Sequence, residues 1–395
     1  NMGGNMYGPL EALYLKELGA GIGQIGLFYT ISQVIPLLLQ ILGGWLSDSL
    51  GRLRAIAIGS VVGVFVYVPL LLATRWEWVL LASALGSVTR SLVGPSFDAF
   101  IADHSAPDNR ARLFGITQTL FGVVSVVGPA LGGYLVEALS FKGMLAVAAA
   151  LYLAATVIRV GMAREAAKSQ VAASSPLTFA SLKMNLGAMV GLILAGGLFT
   201  WIMITDGIRD IFFNMSFSFL SVYMQDIASL SISQIGIMSS IFGIAMMAVM
   251  IPAGWLADKK GERVNIAISF FFMATSLGMI ATVPPASPAW VYGLGWVIAG
   301  TGVGLATPAY QSLISKAVPQ RLRGVAFGLF STSLGLVSLP APLIGGFLWE
   351  NVSPQFPFML TALASLVVII PAWFKFKVSG DMPDSAPPPT ADKAV

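Results

Sequence analysis

Arg90 stands twelve residues from either end of an apolar segment that runs from Trp78 to Ala102. A guanidinium stays protonated at any physiological pH, and placing one mid-bilayer costs about 3 kcal/mol or more, so it must face a polar cavity or a counter-ion. Four carboxylates could pair with it or carry a proton beside it: Glu11, Asp98, Asp206 and Asp210. An acid held near neutral by a dry cavity can exchange its proton in step with a solute. Asp206 and Asp210 lie one helical turn apart and flank Arg209, which allows proton exchange or a closed ion-pair cluster. Helical rise puts Asp206 about 25 Å from Tyr223, near a membrane surface and within reach of water, so Asp210 is the deeper candidate. Asp98, a turn or so from the end of its segment, is expected to pair with Arg52. Asn5, Gln33, Gln40, Gln118, Asn214, Tyr310 and Gln311 are polar positions on otherwise apolar runs and outline a solute path. Phe28, Phe121, Trp201, Phe212 and Phe213 would suit a large lipophilic solute on it.

The same inventory leaves little for catalysis. His104 is the one histidine, there is no cysteine, and no spacing of metal ligands or phosphate-binding glycine loop occurs. An enzyme is therefore not expected, nor a metal or other cofactor, nor built-in use of ATP. Energy for moving a solute must come from an ion gradient or from the solute itself. The pI of about 9.3 reflects basic residues gathered in short loops rather than a folded basic face, so no nucleic acid partner is expected.

The elements that must position these groups are membrane helices. Charged residues make up 10% of the chain, hydrophobic ones 56%, and mean hydropathy is +0.82. Apolar runs near 20 residues recur, long enough to cross a hydrocarbon core of about 30 Å as helices, the form that satisfies backbone amides in lipid. They predict helices over 23–46, 55–74, 78–102, 113–137 and 143–162, then 203–225, 232–256, 264–282, 289–313, 325–349 and 357–376.

Those eleven runs fall into two copies of one unit. GWLSDSLGRLR at 44–54 returns as GWLADKKGERV at 254–264, QIG at 24–26 returns at 234–236, and GGYL at 132–135 returns as GGFL at 345–348. Pro95 and Pro129 reappear as Pro308 and Pro342. Such a period marks duplication of a half-sized unit. Aligning the halves sets Asn5-Met6 and Tyr14 on Asn214-Met215 and Tyr223, so residues 1–15 are read as the C-terminal part of a first helix whose start is missing. The expected fold is an all-α multi-pass membrane protein with twelve helices in two pseudo-symmetric six-helix bundles. Residues 1–162 form the first, 163–185 a cytoplasmic linker, 186–377 the second, and 378–395 a disordered cytoplasmic tail. Gly187–Thr205 is read as an interfacial or extended cytoplasmic lead-in to the seventh helix. One set of loops carries thirteen basic residues, among them Arg52, Arg54, Arg110, Arg112, Lys259, Lys260, Arg263, Lys316, Arg321 and Arg323; the opposite set carries Lys16, Arg75 and Lys142. This bias predicts that the repeated turns and both termini are cytoplasmic, in a plasma or inner membrane.

The repeated turn resembles the G-x-L-a-D-x-x-G-r signature of the major facilitator superfamily. Gly44, Leu46, Asp48, Gly51, Arg52 and Arg54 fill one copy, and Gly254, Leu256, Asp258, Gly261 and Arg263 the other, with Glu262 departing from the pattern. The resemblance implies a cytoplasmic latch, with Asp98 joined to the first copy. Arg90 and Gly94 are similar to the R-x-x-x-G pattern of proton-coupled facilitators, which implies a role in proton transfer or solute binding; the equivalent position in the second half is Val303. Gly115, Gly128, Pro129, Gly132 and Gly133 resemble the glycine-proline motif of drug/proton antiporters, with Val124 in place of its middle glycine. A secondary transporter working by alternating access is thereby implied, a monomer that exchanges protons for small lipophilic compounds. An uptake permease for a metabolite, and more remotely a non-transporting membrane sensor, are the other readings.

Overall fold

The computed structural model describes residues 2–50, 52–103, 105, 109–166, 197–285, 287–318, 330 and 337–376, and all its regular elements are helical. The first half comprises α1 (Met2–Tyr7), a 3-10 turn (Gly8–Leu10), α2 (Glu11–Glu17), α3 (Ile22–Leu50), α4 (Arg52–Phe65), α5 (Tyr67–Leu72), α6 (Glu77–Asp103), α7 (Arg110–Leu139) and α8 (Phe141–Ala166). The second comprises α9 (Leu198–Phe217), α10 (Leu220–Asp226), α11 (Ile232–Lys260), α12 (Glu262–Thr282), α13 (Ala289–Ala317), α14 (Ala341–Asn351) and α15 (Phe356–Lys375). By length and composition, seven described spans could each cross a bilayer. Helices extend a few residues past the apolar runs, because polar ends continue the backbone hydrogen-bond ladder into the interface.

Identical local chemistry starts the equivalent helices of both halves. The repeated Gln-Ile-Gly supplies it. Gln234 Oε1 accepts from the Ser231 amide at 2.9 Å while Ser231 Oγ accepts from the Gln234 amide, a capping box at the head of α11. At the head of α3, Gln24 Oε1 accepts from the Gly21 amide at 2.8 Å. Tyr14 and Tyr223 bond equivalent carbonyls in turn, Leu70 at 2.6 Å and Ile280 at 3.3 Å.

The first helix of each half is broken, where the apolar pattern predicts continuous runs. Gly8-Pro9 interrupts one because proline supplies no amide hydrogen. Ser218-Phe219 interrupts the other, where Ser218 Oγ bonds the Asn214 carbonyl at 2.8 Å and competes with the helical ladder. Helix α9 also begins at Leu198, so 198–205 is a continuous part of it. The remainder of that lead-in, most of the linker and the tail lie outside the described residues.

The halves meet along α7 against α11 and α3 against α14, and small residues make the meeting possible. A side chain added at Gly133 would lie 3.0 Å from the Ser233 Cα, and one at Gly346 would lie 3.3 Å from the Gly23 Cα. At Gly26 it would come within 2.6 Å of the Pro342 carbonyl oxygen; at Gly236 it would overlap the Pro129 carbonyl, the equivalent contact. Two carboxylates reinforce the joint. Glu137 accepts from the Ser233 amide in the first turn of α11, and Glu350 from the Gly23 amide in the first turn of α3, both at 2.8 Å. An acid at a helix N-terminus meets unpaired amides and the positive end of the dipole. Lys16 pairs with Asp226 across the same end. A seal between the halves therefore closes the end opposite the repeated turns.

In the second repeated turn Gly261 takes φ +86° and ψ 152°, a region that costs other residues of order 1–3 kcal/mol. The departing residue, Glu262, is buried and accepts from Ser312 at 2.7 Å and Lys316 at 2.5 Å. Arg263 lies 5.0 Å over the Trp373 ring and Asp258 is exposed. Glu262 and Arg263 thus bind α12 to α13 and α15 of its own half. In the first copy, Gly44 and Asp48 lie within α3 and Arg52 opens α4, while Gly51 lies outside the described residues.

Candidate functional site

Two cavities adjoin the broken helices. The first, about 480 Å³, lies between the halves beside the seal. Asn5, Gly8 and Pro9 from the first break face Asn214, Phe217 and Ser218 from the second, so equivalent residues of the two halves share one space. Discontinuous helices place backbone and polar groups where a continuous helix would bury them in its own ladder. The second half walls this cavity with rings: Phe213 stacks on Phe217 at 4.4 Å, and Phe217, Phe242 and Trp296 contact one another at 5.9–6.1 Å. Trp296 is buried and its Nε1–H has no partner among the described residues. Gln33, Tyr29, Ser125, Ser221 and Ser239 complete the polar share of the lining.

The second cavity, about 640 Å³, lies within the first half. Asn5 lines both spaces, which adjoin at that residue. Here α6 contributes Thr89, Arg90, Gly94, Phe97 and Asp98, α7 contributes Gln118 and Phe121, and α8 contributes Tyr152 and Arg159. Arg90 Nη2 bonds Ser87 Oγ at 3.1 Å, and its nearest acid by electrostatic contact is Glu11, beside Tyr7 and Tyr29. Arg159 Nη1 bonds Ser60 Oγ at 3.1 Å and its guanidinium lies 6.0 Å from the Tyr152 ring centre. Asp98 lines the same space about 12 Å along α6 from Arg90.

The third charged group is closed. Arg209 Nη1 lies 2.7 Å from Asp206 Oδ1, yet the contact is poorly aligned and neither Asp206 oxygen receives a hydrogen bond among the described residues. The guanidinium also stands 5.3 Å over the Tyr310 ring, whose hydroxyl is likewise buried without a partner. Asp206 is fully buried and Asp210 partly exposed, the reverse of the order read from depth along the helix. Depth and burial differ because Asp206 points into the packed core of the second half, with Phe199, Ile202 and Leu313, whatever its height. Replacing Asp206 by alanine should strand the charge of Arg209 and lower stability by about 3 kcal/mol, read as thermal unfolding in detergent. Asp206→Ala with Arg209→Met should recover most of that loss; a double variant no more stable than the single would show that Asp210 holds the charge instead.

The sequence-derived path is thus divided. Asn5, Gln33 and Asn214 meet in the first cavity and Arg90 and Gln118 in the second, while Tyr310 is in the core and Gln311 is exposed elsewhere. Of the aromatics named from sequence, Phe213 and Phe121 line cavities; Phe28 is core and Trp201 lies under Lys375 at 5.0 Å. Gly128 and Gly132 of α7 pack against Asn5 and Met6, Gly133 against α11, and Gly115 faces open space. Sequence reading missed Phe217, Phe242, Trp296 and Arg159. Only Arg159 carried a signal: it sits inside the apolar run 143–162 as Arg90 sits inside 78–102.

Comparison with known proteins gives a consistent picture. The family model described as Major Facilitator Superfamily matches residues 1–339 and 202–394. The chain is 26% identical to the class G tetracycline resistance protein of Vibrio anguillarum, covering 84% of this chain and 81% of that protein. It is 24% identical to the quinolone resistance protein NorA of Staphylococcus aureus, covering 92% and 90% respectively. A crystal structure of the peptide transporter POT with alafosfalin superposes with a TM-score of 0.75 at 15% identity, over 94% of this chain and 90% of that one.

Proposed function

Because this chain belongs to the major facilitator superfamily, we propose that it exports small lipophilic compounds in exchange for protons, by alternating access to the cavity between its halves. The observation that carries this reading is the first cavity itself: a ring-walled space at the junction of the two halves, beside a seal built from both. Rocking the halves would break that seal at α7–α11 and α3–α14 and expose the same space to the other side. Residues 1–162 and 186–377 would move as the two bodies of a monomer. Arg90 with Glu11, and Asp206 with Arg209 and Asp210, are the groups for coupling a proton to that movement. The excess of Lys and Arg on the repeated-turn loops orients that end to the cytoplasm, which makes the sealed end external. Names of the relatives, resistance proteins for tetracycline and quinolones, support export of lipophilic solutes.

The test uses the full-length protein in everted vesicles, with lumenal pH followed by a permeant dye while solutes are added singly. Proton release on adding lipophilic drugs, absent from vesicles without the protein, is the expected result. Proton movement with sugars, amino acids or organic acids alone would replace export by metabolite uptake.

A further inference from the structure

We infer that the solute taken by this site is an anionic amphiphile, with its carboxylate or phosphate held between Arg90 and Arg159 and its apolar body lying against Phe217, Phe242 and Trp296. This deepens the transport reading and rests on it for the fate of the bound molecule, though not for its binding.

Both guanidiniums line one cavity from different helices, α6 and α8. Each has a serine hydroxyl as its hydrogen-bond partner, Ser87 and Ser60, and neither has a carboxylate within ion-pair distance among the described residues. A hydroxyl satisfies one of five guanidinium N–H donors, so both side chains keep donors and charge for a further acceptor. Planar guanidiniums bind carboxylate and phosphate oxygens in pairs, which favours an oxyanion over a carbonyl. Neither acid nearby makes a direct ion pair with the two guanidiniums among the described residues. Asp98 stands about two turns along α6 from Arg90, and Glu11 faces Arg90 but is not among the residues lining this cavity.

The apolar half of the ligand follows from the first cavity. Asn5 belongs to both walls, so a molecule with its head at the guanidiniums would reach the rings of the second half by passing Asn5. Such a ligand touches both halves at once. A cation would meet two like charges in the first half and find no carboxylate in the lining of the ring-walled cavity.

The purified full-length protein in phosphatidylcholine nanodiscs, titrated with three matched probes, tests this. Pyrenebutyrate, pyrenebutanol and pyrenebutyl-trimethylammonium carry the same ring and chain, and energy transfer from tryptophan to pyrene reports binding after subtraction of empty discs. The anion should bind at least about tenfold tighter than the alcohol, the scale of one charge-assisted hydrogen bond, and the cation weakest. Arg159→Gln and Arg90→Gln should each remove most of that preference, with thermal unfolding in the same discs showing that the variants are folded. An anion bound no tighter than the alcohol, or a preference surviving in both variants, would overturn the assignment. Replacing phosphatidylcholine by phosphatidylglycerol should leave pyrenebutyrate affinity unchanged; its loss would make this a lipid-headgroup site and overturn the solute assignment. Binding with the expected preference in a protein that drives no solute flux would sink the transport reading and leave this one intact.

Discussion

Replacing Arg90 by alanine should lower proton-driven flux by about 10- to 100-fold while the protein stays folded and inserted. The size follows from losing one or two charge-assisted hydrogen bonds, each about 1.5–3 kcal/mol, from a step that depends on them. Arg90 is the charged neighbour of Glu11 and lines the second cavity, so its loss removes both the positive partner of that acid and a donor to the solute. Its hydrogen bond within the protein is to Ser87, one turn back on its own helix, so no hydrogen bond between helices is lost with it. Stability should change little. Passive solute exchange between equal concentrations, measured beside proton-driven flux in proteoliposomes, separates the two roles. Loss of driven flux alone assigns Arg90 to proton coupling, and equal loss of both assigns it to solute binding. Unchanged driven flux would remove it from the mechanism.

Filling the joint between the halves should have an effect of similar size on which side of the membrane reaches the cavity. In Gly26→Val and Gly236→Val the new atoms meet the carbonyls of Pro342 and Pro129, backbone atoms that cannot rotate aside. Overpacking of about 1–3 kcal/mol against the sealed state, with none against the state in which the joint is parted, shifts the balance roughly 5- to 150-fold. The chain has no cysteine, so one introduced at Ser125, on the wall of the first cavity, is a unique label. Its reaction with an impermeant maleimide added at the sealed side should accelerate in both glycine variants. Gly293→Val, at a position with open space, should leave the rate unchanged. Removing the carboxylates that cap across the joint, Glu137→Gln with Glu350→Gln, should act in the same direction but more weakly, since both bonds are exposed. Equal labelling in all these proteins would show that the joint does not control access.

Much of the fold was legible because lipid imposes one solution on the backbone. An apolar run near 20 residues must be a helix, and the predicted 232–256, 264–282 and 357–376 correspond to Ile232–Lys260, Glu262–Thr282 and Phe356–Lys375. Duplication was legible because motifs were copied with their spacing, and Tyr14 with Tyr223, and Gln24 with Gln234, serve equivalent helices in the same way. Polar residues within those runs were legible too, since a side chain costly in lipid stands out from its neighbours. Arg90, Asn5, Gln33, Gln118 and Asn214 were found on that signal.

The sequence by itself determined the class of protein, the two-fold repeat and the short list of polar positions, because each follows from what a residue costs in hydrocarbon. Only the tertiary structure decided how those positions divide into two joined cavities and a closed ion pair. Asp206 read as the shallower acid and is the buried one; Phe217, Phe242 and Trp296 carried no signal in the sequence and form the wall. Hydropathy fixes a residue's depth in the bilayer but not its azimuth around the helix. Whether an aromatic ring meets lipid, core or cavity depends on how helices distant in sequence pack together, and that packing is set by backbone contacts such as Gly236 on Pro129.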